Sequence, residues 1–591
     1  MKSLSYLNKY FYKYRWRLIL GIIFIVINNY FGAWIPVLIG QSTDYIINES
    51  SKGVDANTIF WHTLFLAGII ILFNILKGFF LFLTRQTIIV MSRFIEFDLK
   101  NELFKKYLKL DYQFYKSQST GDLMNRISED VFQVRQYLGP GIMYTVNLLA
   151  LFPFNLYQMI KINAELTFFA LIPLPIMAVL IYFVSSKMNK LSKEVQQEQS
   201  KLSTIGQESF SGIRVIKAYI QEQHTKERFN ESSANYLKKN MRFVKINALF
   251  TPTISLLIGA STLLSIYIGG LYTYSGQVST GNILTFVLII YTLTWPFVSV
   301  GWVTSIIQRA AASQERINEF LKIKSTIYNP SSATLSRFES LTFNKVSFNY
   351  QNTQKEAISG LNLTIHKGQT IGILGKTGSG KSTLIQLMVR QMDPSSGEIT
   401  YNGEALNTIN LEAFRDSIAV VPQDVFLFSD SIRNNIVFGK NDSNAISDEE
   451  LEEVCKTVHV LHNINSFPNR FDTLLGERGV NLSGGQKQRI SIARALIRKP
   501  SLLILDDCLS AVDTETEKII LQNLDEFNRK YDSTTIIVSH RISSLRNADY
   551  ILILDDGHVA EEGDPKALLE HDSLFKSMHD KQLREEQERM D

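Results

Sequence analysis

Cysteine is nearly missing from this 591-residue chain: Cys455 and Cys508 are the only two. A disulfide framework or a thiol-based metal site needs more thiols, set closer together. So sparse a use fits a reducing compartment around the second half. A surplus of one charge is also missing. Sixty-one basic residues against 57 acidic ones leave a net +4, which provides no electrostatic footprint for a nucleic-acid partner. Internal repeats and low-complexity tracts are absent, and a 45% hydrophobic content excludes a disordered chain. What is present is long and mixed. Single cores stop growing near ~250–300 residues, and a mean hydropathy of +0.01 reads as an average over two unlike halves.

Long apolar stretches occur only before about residue 310, at roughly 18–40, 59–83, 137–160, 163–184, 246–271 and 282–307. Each suffices, at ~1.5 Å per residue, to cross a hydrocarbon layer about 30 Å thick. The basic residues Lys2, Lys9, Lys13, Arg15 and Arg17 precede the first stretch. That stretch is too long for a signal peptide and lacks a small-residue cleavage site. The basic segment assigns the amino terminus to the cytoplasm. The connections after spans one, three and five are short and poor in Lys and Arg, so they belong outside. The other two, about 84–136 and 185–245, are long and charged. They read as helices extending into the cytoplasm, interrupted at Gln118-Ser-Thr-Gly-Asp122 and at Gly212. Either they are solvated stalks or they act as levers on another domain.

Beyond Arg309 the pattern changes to an amphipathic helix and a polar link through Asn329-Pro-Ser-Ser332. These shifts divide the chain into a membrane domain at 1–322, a linker at 323–338 and a soluble domain at 339–591. In the last, short apolar runs alternate with helical stretches: Thr370–Leu374, Ile418–Val421, Leu502–Leu505, Thr535–Val538 and Tyr550–Leu554. Buried parallel strands between helices have this pattern.

Residues Gly375, Lys376, Thr377, Gly378, Ser379, Gly380, Lys381, Ser382 and Thr383 follow one such strand and open a helix. They fit the G-x-x-x-x-G-K-[ST] pattern. Its glycines let successive N–H groups turn toward a phosphate at the helix N-terminus. Lys381 reaches the β and γ oxygens, and Ser382 places its hydroxyl on Mg²⁺. Tyr350 lies 25 residues ahead of Gly375; it either stacks on adenine or is an ordinary strand tyrosine. A metal-side carboxylate belongs at the end of an apolar strand. Leu502-Leu-Ile-Leu-Asp-Asp507 and Ile551-Leu-Ile-Leu-Asp-Asp556 both qualify, but the second runs into Gly557 and reads as a hairpin turn. Asp506 is therefore assigned to Mg²⁺.

Residues Leu482, Ser483, Gly484, Gly485 and Gln486 resemble the signature of ATP-binding-cassette (ABC) proteins. Gln423 is similar to the family's Q-loop residue, and Thr473-Leu-Leu-Gly-Glu-Arg-Gly479 resembles an exporter-specific segment. Asp513 falls at the D-loop position, and His540 resembles the switch histidine. Together with six spans, these elements make the chain resemble an ABC exporter half-transporter. The fold implied is an α-helical six-span membrane domain with long cytoplasmic extensions, joined to an α/β P-loop ATP-binding cassette. The resemblance also implies ATP and Mg²⁺ as cofactors, with Gln423 near both the metal and the attacking water, and His540 in catalysis. It implies a second half-transporter whose P-loop the signature faces, with segments near 111–117 and 208–216 docking on the cassettes. A small amphipathic substrate, a lipid bilayer and a bacterial inner membrane with the cassette in the cytoplasm complete that expectation.

One position departs from the family pattern. Where the family carries Glu after the strand-end Asp, this chain has Asp507. A carboxylate one methylene short implies slow hydrolysis, since general-base catalysis supplies roughly 10²–10⁴ in rate. The combination of Asp507 with an intact signature is similar to one subunit of the heterodimeric exporters. A homodimer using Asp507 in both sites, and a regulatory or gating subunit with little turnover, are the alternatives. Inside the spans, Asn28, Asn29, Asn74, Lys77, Asn147 and Asn155 either contact substrate or tie helices together.

Overall fold

The computed structural model describes residues 2–350, 355–440, 446–545 and 547–590. Contacts group the chain into two units. One holds Met1–Leu108 and Ser119–Ile323; the other holds Lys109–Gln118 and Lys324–Asp591.

The first unit is helical and carries six helices apolar and long enough to cross a membrane. They are α1 (Arg15–Ser51), α2 (Ala56–Leu108), α3 (Thr120–Ile162), α4 (Ala164–Ser211), α5 (Glu222–Tyr274) and α6 (Thr280–Lys322). The longest run to 53 residues, or about 80 Å, whereas a bilayer core needs ~30 Å. The excess is the charged length expected from the sequence. The break between α2 and α3 falls where the polar turn is, and Ser119 caps α3 by accepting the Asp122 N–H at 3.2 Å. Gly212 ends α4. The third helix runs on through two single π turns, Arg126–Asp130 and Tyr137–Gly141, which shift the face it presents.

Small residues set the closest approach in this unit. A Cβ on Gly281 would lie 2.0 Å from the Gly40 carbonyl oxygen, so α1 and α6 touch through backbone, as small residues permit between membrane helices. Beside them the Asp44 carboxylate accepts the Gly281 N–H at 2.7 Å and the Ser279 hydroxyl at 2.5 Å. That satisfies donors at the start of α6 that no helical carbonyl can reach. Asn29 donates to the Asn147 side-chain oxygen at 2.9 Å, so this pair ties α1 to α3. Asn74 bonds its own helix at the Ile70 carbonyl.

The second unit is built on two sheets. A four-stranded antiparallel sheet has the order β2 (Ile358–His366), β1 (Ser340–Phe348), β4 (Ser396–Tyr401), β5 (Glu404–Ala405). A six-stranded sheet has the order β10 (His558–Gly563), β9 (Tyr550–Asp555), β3 (Thr370–Gly375), β8 (Thr534–Val538), β7 (Leu502–Asp506), β6 (Ile418–Val421). All its neighbours are parallel except the β9–β10 hairpin. The five apolar runs singled out in the sequence are the five parallel strands. Their continuous Val/Ile/Leu content reflects burial on both faces: every residue of β8 is buried, and all but the last of β7.

Candidate nucleotide site

Strand β3 ends at Gly375, and helix α7 (Lys381–Met388) starts after a tight loop. The loop closes only with glycine at two points. Gly380 has φ +104°, and a Cβ there would meet the Ala357 carbonyl at 2.5 Å; Gly378 has φ +85°. Side chains are excluded, so the loop's backbone is left to face a ligand. The Lys381 ammonium curls back onto the loop, donating to the Gly375 carbonyl at 2.6 Å and the Lys376 carbonyl at 2.7 Å. Burial pulls its pKa down, opposed by Asp506 and Asp507. Ser382 is exposed at the helix start, whereas Ser379 is buried and its hydroxyl has no hydrogen-bond partner among the described residues. A cradle of glycine backbone, a lysine and an unsatisfied hydroxyl suits a phosphate chain.

Strand β7 delivers Asp506 and, one residue later, Asp507. Burial raises the Asp506 carboxyl to about 6, helped by the neighbouring Asp507 charge and opposed by Lys381. A cation is what such a carboxylate lacks. Among the described residues no cluster of three His, Cys, Asp or Glu could hold a metal by itself. That fits Mg²⁺, which binds through one or two carboxylates plus substrate phosphates. Asp507 turns out of the strand with φ +46°, a conformation that Asp tolerates better than most residues. Both of its side-chain oxygens are engaged. His540 Nδ1 lies 2.8 Å from Oδ1, and Gln423 Nε2 donates to Oδ2 at 3.4 Å. The structure thus brings Lys381, Asp506, Asp507, Gln423 and His540 together from four separate stretches of chain.

Tyr350 follows β1 and reaches the same helix. Its hydroxyl lies 3.0 Å from the Thr383 hydroxyl, and its ring packs edge-on against Phe348. Over the ring, 4.0 Å from its centroid, sits the ammonium of Lys116. This lysine belongs to the Lys109–Gln118 stretch, held by Asp111, which accepts from the Thr326 N–H at 2.7 Å and the Thr326 hydroxyl at 2.9 Å. Burial would raise the Asp111 pKa, but these bonds and the Phe114 N–H outweigh it and hold it low.

The signature stretch is kept apart from this cluster. Ser483 caps helix α8 (Gly484–Leu496), and Gln486 closes a capping box: its side-chain oxygen accepts the Ser483 N–H at 3.0 Å. Two donors at the helix start are satisfied in this way. Ser483 and Gly484 stay exposed, while Leu482 anchors the turn in the core. Gly485 lies against the Ala511 carbonyl, where a Cβ would come within 2.9 Å. Gln488 accepts the Ala511 N–H at 3.0 Å, coupling α8 to the 510–513 turn. Asp513 ends that turn by capping helix α9 (Thr514–Tyr531), accepting the Thr516 N–H at 2.9 Å. That bond holds its pKa low. Among the described residues, no hydrogen bond joins 482–486 to the 375–383 loop.

Comparison with known proteins agrees with this geometry. Residues 18–297 match the family described as ABC transporter transmembrane region, and residues 358–510 match ABC transporter. A Bacillus subtilis protein named as a probable multidrug resistance ABC transporter ATP-binding/permease protein, YheI, is 38% identical over 82% of each chain. The multidrug resistance-like ATP-binding protein MdlA of Buchnera aphidicola is 35% identical over 98% of each. This chain is an ABC transporter. An ATP-dependent lipid A-core flippase of Chromobacterium violaceum, 31% identical over 92% of this chain and 91% of its own, extends the likeness to lipid movers. With six spans and the cassette in one polypeptide, the transporter is of the exporter type. It is a multi-pass membrane protein that couples ATP hydrolysis to transport and works as a dimer.

Asp111 and Lys116 lie in the 111–117 segment expected to dock on a cassette, and the contributor to the transporter's site that was not foreseen is Gln582. This residue comes from the C-terminal helix (Leu574–Met590). It donates to the His540 carbonyl at 2.7 Å and accepts the Ile542 N–H at 2.9 Å, so it holds the histidine segment from behind. A lone Gln in a charged helix carries no local signal of that contact.

Proposed function

We propose that this chain is one half of a heterodimeric exporter that moves an amphipathic or hydrophobic small molecule, a drug or a lipid, across a bacterial inner membrane. In this reading the membrane domain covers 1–322, the linker 323–338 and the cassette 339–591, with the amino terminus and cassette in the cytoplasm. The backbone and side chains of 375–383 hold the ATP phosphates, and Tyr350 stacks on adenine. A base arriving on the face now covered by Lys116 displaces that ammonium. Ser382, Asp506 and Gln423 hold Mg²⁺, which neutralises charge on the β and γ phosphate oxygens. Asp507 orients or deprotonates water, with His540 and Gln423 beside it.

The signature residues serve the other subunit. Ser483 and Gly484 are exposed and unconnected to their own 375–383 loop, so they are available to the partner's γ-phosphate, and Asp513 supports that interface. The observation that carries the heterodimer is Asp507. Its side chain is one methylene short of Glu, and both its oxygens are already committed. A displacement of about 1 Å costs roughly 10² in rate, so this chain's own site turns over slowly while its signature completes the partner's faster one. Names of relatives that move drugs or lipid A support the cargo class.

A homodimer is the second reading, favoured by the 2.8 Å His540–Asp507 contact, which leaves a base and its support in place. ATPase and transport assays of the chain alone, and of the chain with a co-purified partner, separate the two. Under the heterodimer, Asp507→Asn leaves transport nearly intact, while removing the partner's catalytic Glu abolishes it. Full-rate pumping by the chain alone rejects the heterodimer. Nucleotide binding without hydrolysis or transport in either preparation rejects both and leaves a gating subunit.

A further inference from the structure

A carboxamide buried within a membrane-spanning helix is costly unless it finds a partner, because its polar atoms have lost water. Gln158 on α3 is in that position. It is 5% exposed, and its side-chain amide makes no hydrogen bond to another described residue. Its side chain lines a cavity of about 470 Å³ between α1 and α3, within the ~300–1,000 Å³ range of small-molecule sites. Tyr30 and Trp34 wall the cavity from α1, and Pro153, Phe154 and Tyr157 from α3. Spacings of three and four residues bring these side chains to one face of each helix. The Tyr30 ring meets Phe154 edge-on with centroids 6.0 Å apart, and Trp34 at 6.5 Å. Near Gln158 on the same helix, the Asn155 side-chain oxygen is also buried without a partner among the described residues.

We propose that this cavity binds a planar, uncharged aromatic molecule carrying a hydrogen-bond donor. The rings hold it in edge-to-face and offset contacts, and Gln158 Oε1 accepts its donor. An acyl chain would leave the amide as bare as before, and none of the lining residues named offers a charge to pair with an ion. The proposal deepens the exporter reading by naming its cargo class, and it rests on that reading for the sequel to binding, not for binding itself.

The test uses the full-length protein in phosphatidylcholine nanodiscs. The probe is N-phenyl-1-naphthylamine, a neutral fluorescent aromatic with one N–H donor, and the control is its N-methyl analogue. Gln158→Met keeps the side chain's bulk and removes only the amide. It is expected to weaken the N–H probe about 3–10-fold, as for one hydrogen bond, and to leave the analogue unchanged. Phe154→Leu is expected to weaken both compounds. Trp34→Phe is expected to remove a substantial part of the tryptophan-to-probe energy transfer, although four other tryptophans remain of the five. Equal losses for both compounds in Gln158→Met, no loss for either, or unchanged transfer in Trp34→Phe would overturn the site. ATP-driven efflux of the probe is read separately. Binding that passes these tests without efflux upholds the site and counts against the exporter reading. Efflux at the wild-type rate together with unchanged binding of both compounds in Gln158→Met and Phe154→Leu upholds the exporter reading and overturns the site.

Discussion

Two hexapeptides in the cassette, Leu502–Asp507 and Ile551–Asp556, differ at one residue and end in the same pair of acids. Both form parallel strands of one sheet, and in both the final Asp takes a left-handed backbone, φ +46° at Asp507 and +50° at Asp556. Their uses diverge at the next residues. After Asp507 the chain continues into the 510–513 turn and α9, and the acids stay near Lys381, His540 and Gln423. After Asp556 comes Gly557 with φ +86°, which closes the β9–β10 hairpin. That glycine's N–H donates to the Ser379 carbonyl at 3.2 Å, bracing the phosphate loop from behind, while Asp556 pairs with Lys355 at the surface. Sheet order makes the contrast sharper. The supporting strand β9 lies directly beside β3, whereas the strand carrying the acids lies one further away, beyond β8. Adjacency to the phosphate loop does not decide which strand end holds the acids of the site; the turn that follows does.

The largest test of this contrast lengthens the final acid in each copy. Asp507→Glu is expected to raise the chain's own ATPase rate by about 10², the scale of a ~1 Å correction in position, and Asp556→Glu to leave it unchanged. Phosphate release by the two purified variants checks this. Next, Asp506→Asn is expected to weaken Mg²⁺-dependent binding of a fluorescent ATP analogue on the order of 10–100-fold, with no change for Asp555→Asn.

The same Asp506→Asn variant has an opposite effect on the ligand-free protein. A carboxyl raised to about 6 in the fold from an unfolded value near ~3.9 favours the folded state while protonated. That contribution is full below the unfolded value and is lost as pH rises through about 6. Without nucleotide or metal, Asp506→Asn should therefore raise the melting temperature at pH 7.5 and lose that advantage at pH 4. Gly557→Ala puts a Cβ 3.2 Å from two carbonyl oxygens at positive φ. It is expected to cost about 1–2 kcal/mol, seen as a lower cassette melting temperature. Lys355→Ala removes an exposed ion pair with Asp556 and should move denaturant stability by less than about 0.5 kcal/mol.

Much of the cassette is legible from local pattern. Apolar runs of four or five residues mark β3, β6, β7, β8 and β9 because strands buried on both faces tolerate little else. The glycines at 378 and 380 mark the loop because only they fit its backbone. Asp556-Gly557 marks its hairpin for the same reason. The spans are legible because an apolar medium demands long uninterrupted helices. Of their π turns, Tyr137–Gly141 is marked by Gly139-Pro140-Gly141, whereas Arg126–Asp130 contains nothing that separates it from ordinary helix.

Sequence by itself determined the element types, the phosphate loop, the order of the motifs and the missing methylene at Asp507. Each is written in neighbouring residues, through periodicity, backbone freedom or side-chain length. Tertiary structure alone decided that Lys116 covers Tyr350, that Gln582 holds the His540 segment, and that Gln158 opens onto aromatic rings from another helix. Those contacts depend on how distant elements cross and where side chains end. No local pattern encodes that, because the same glutamine or lysine on a neighbouring turn would point elsewhere.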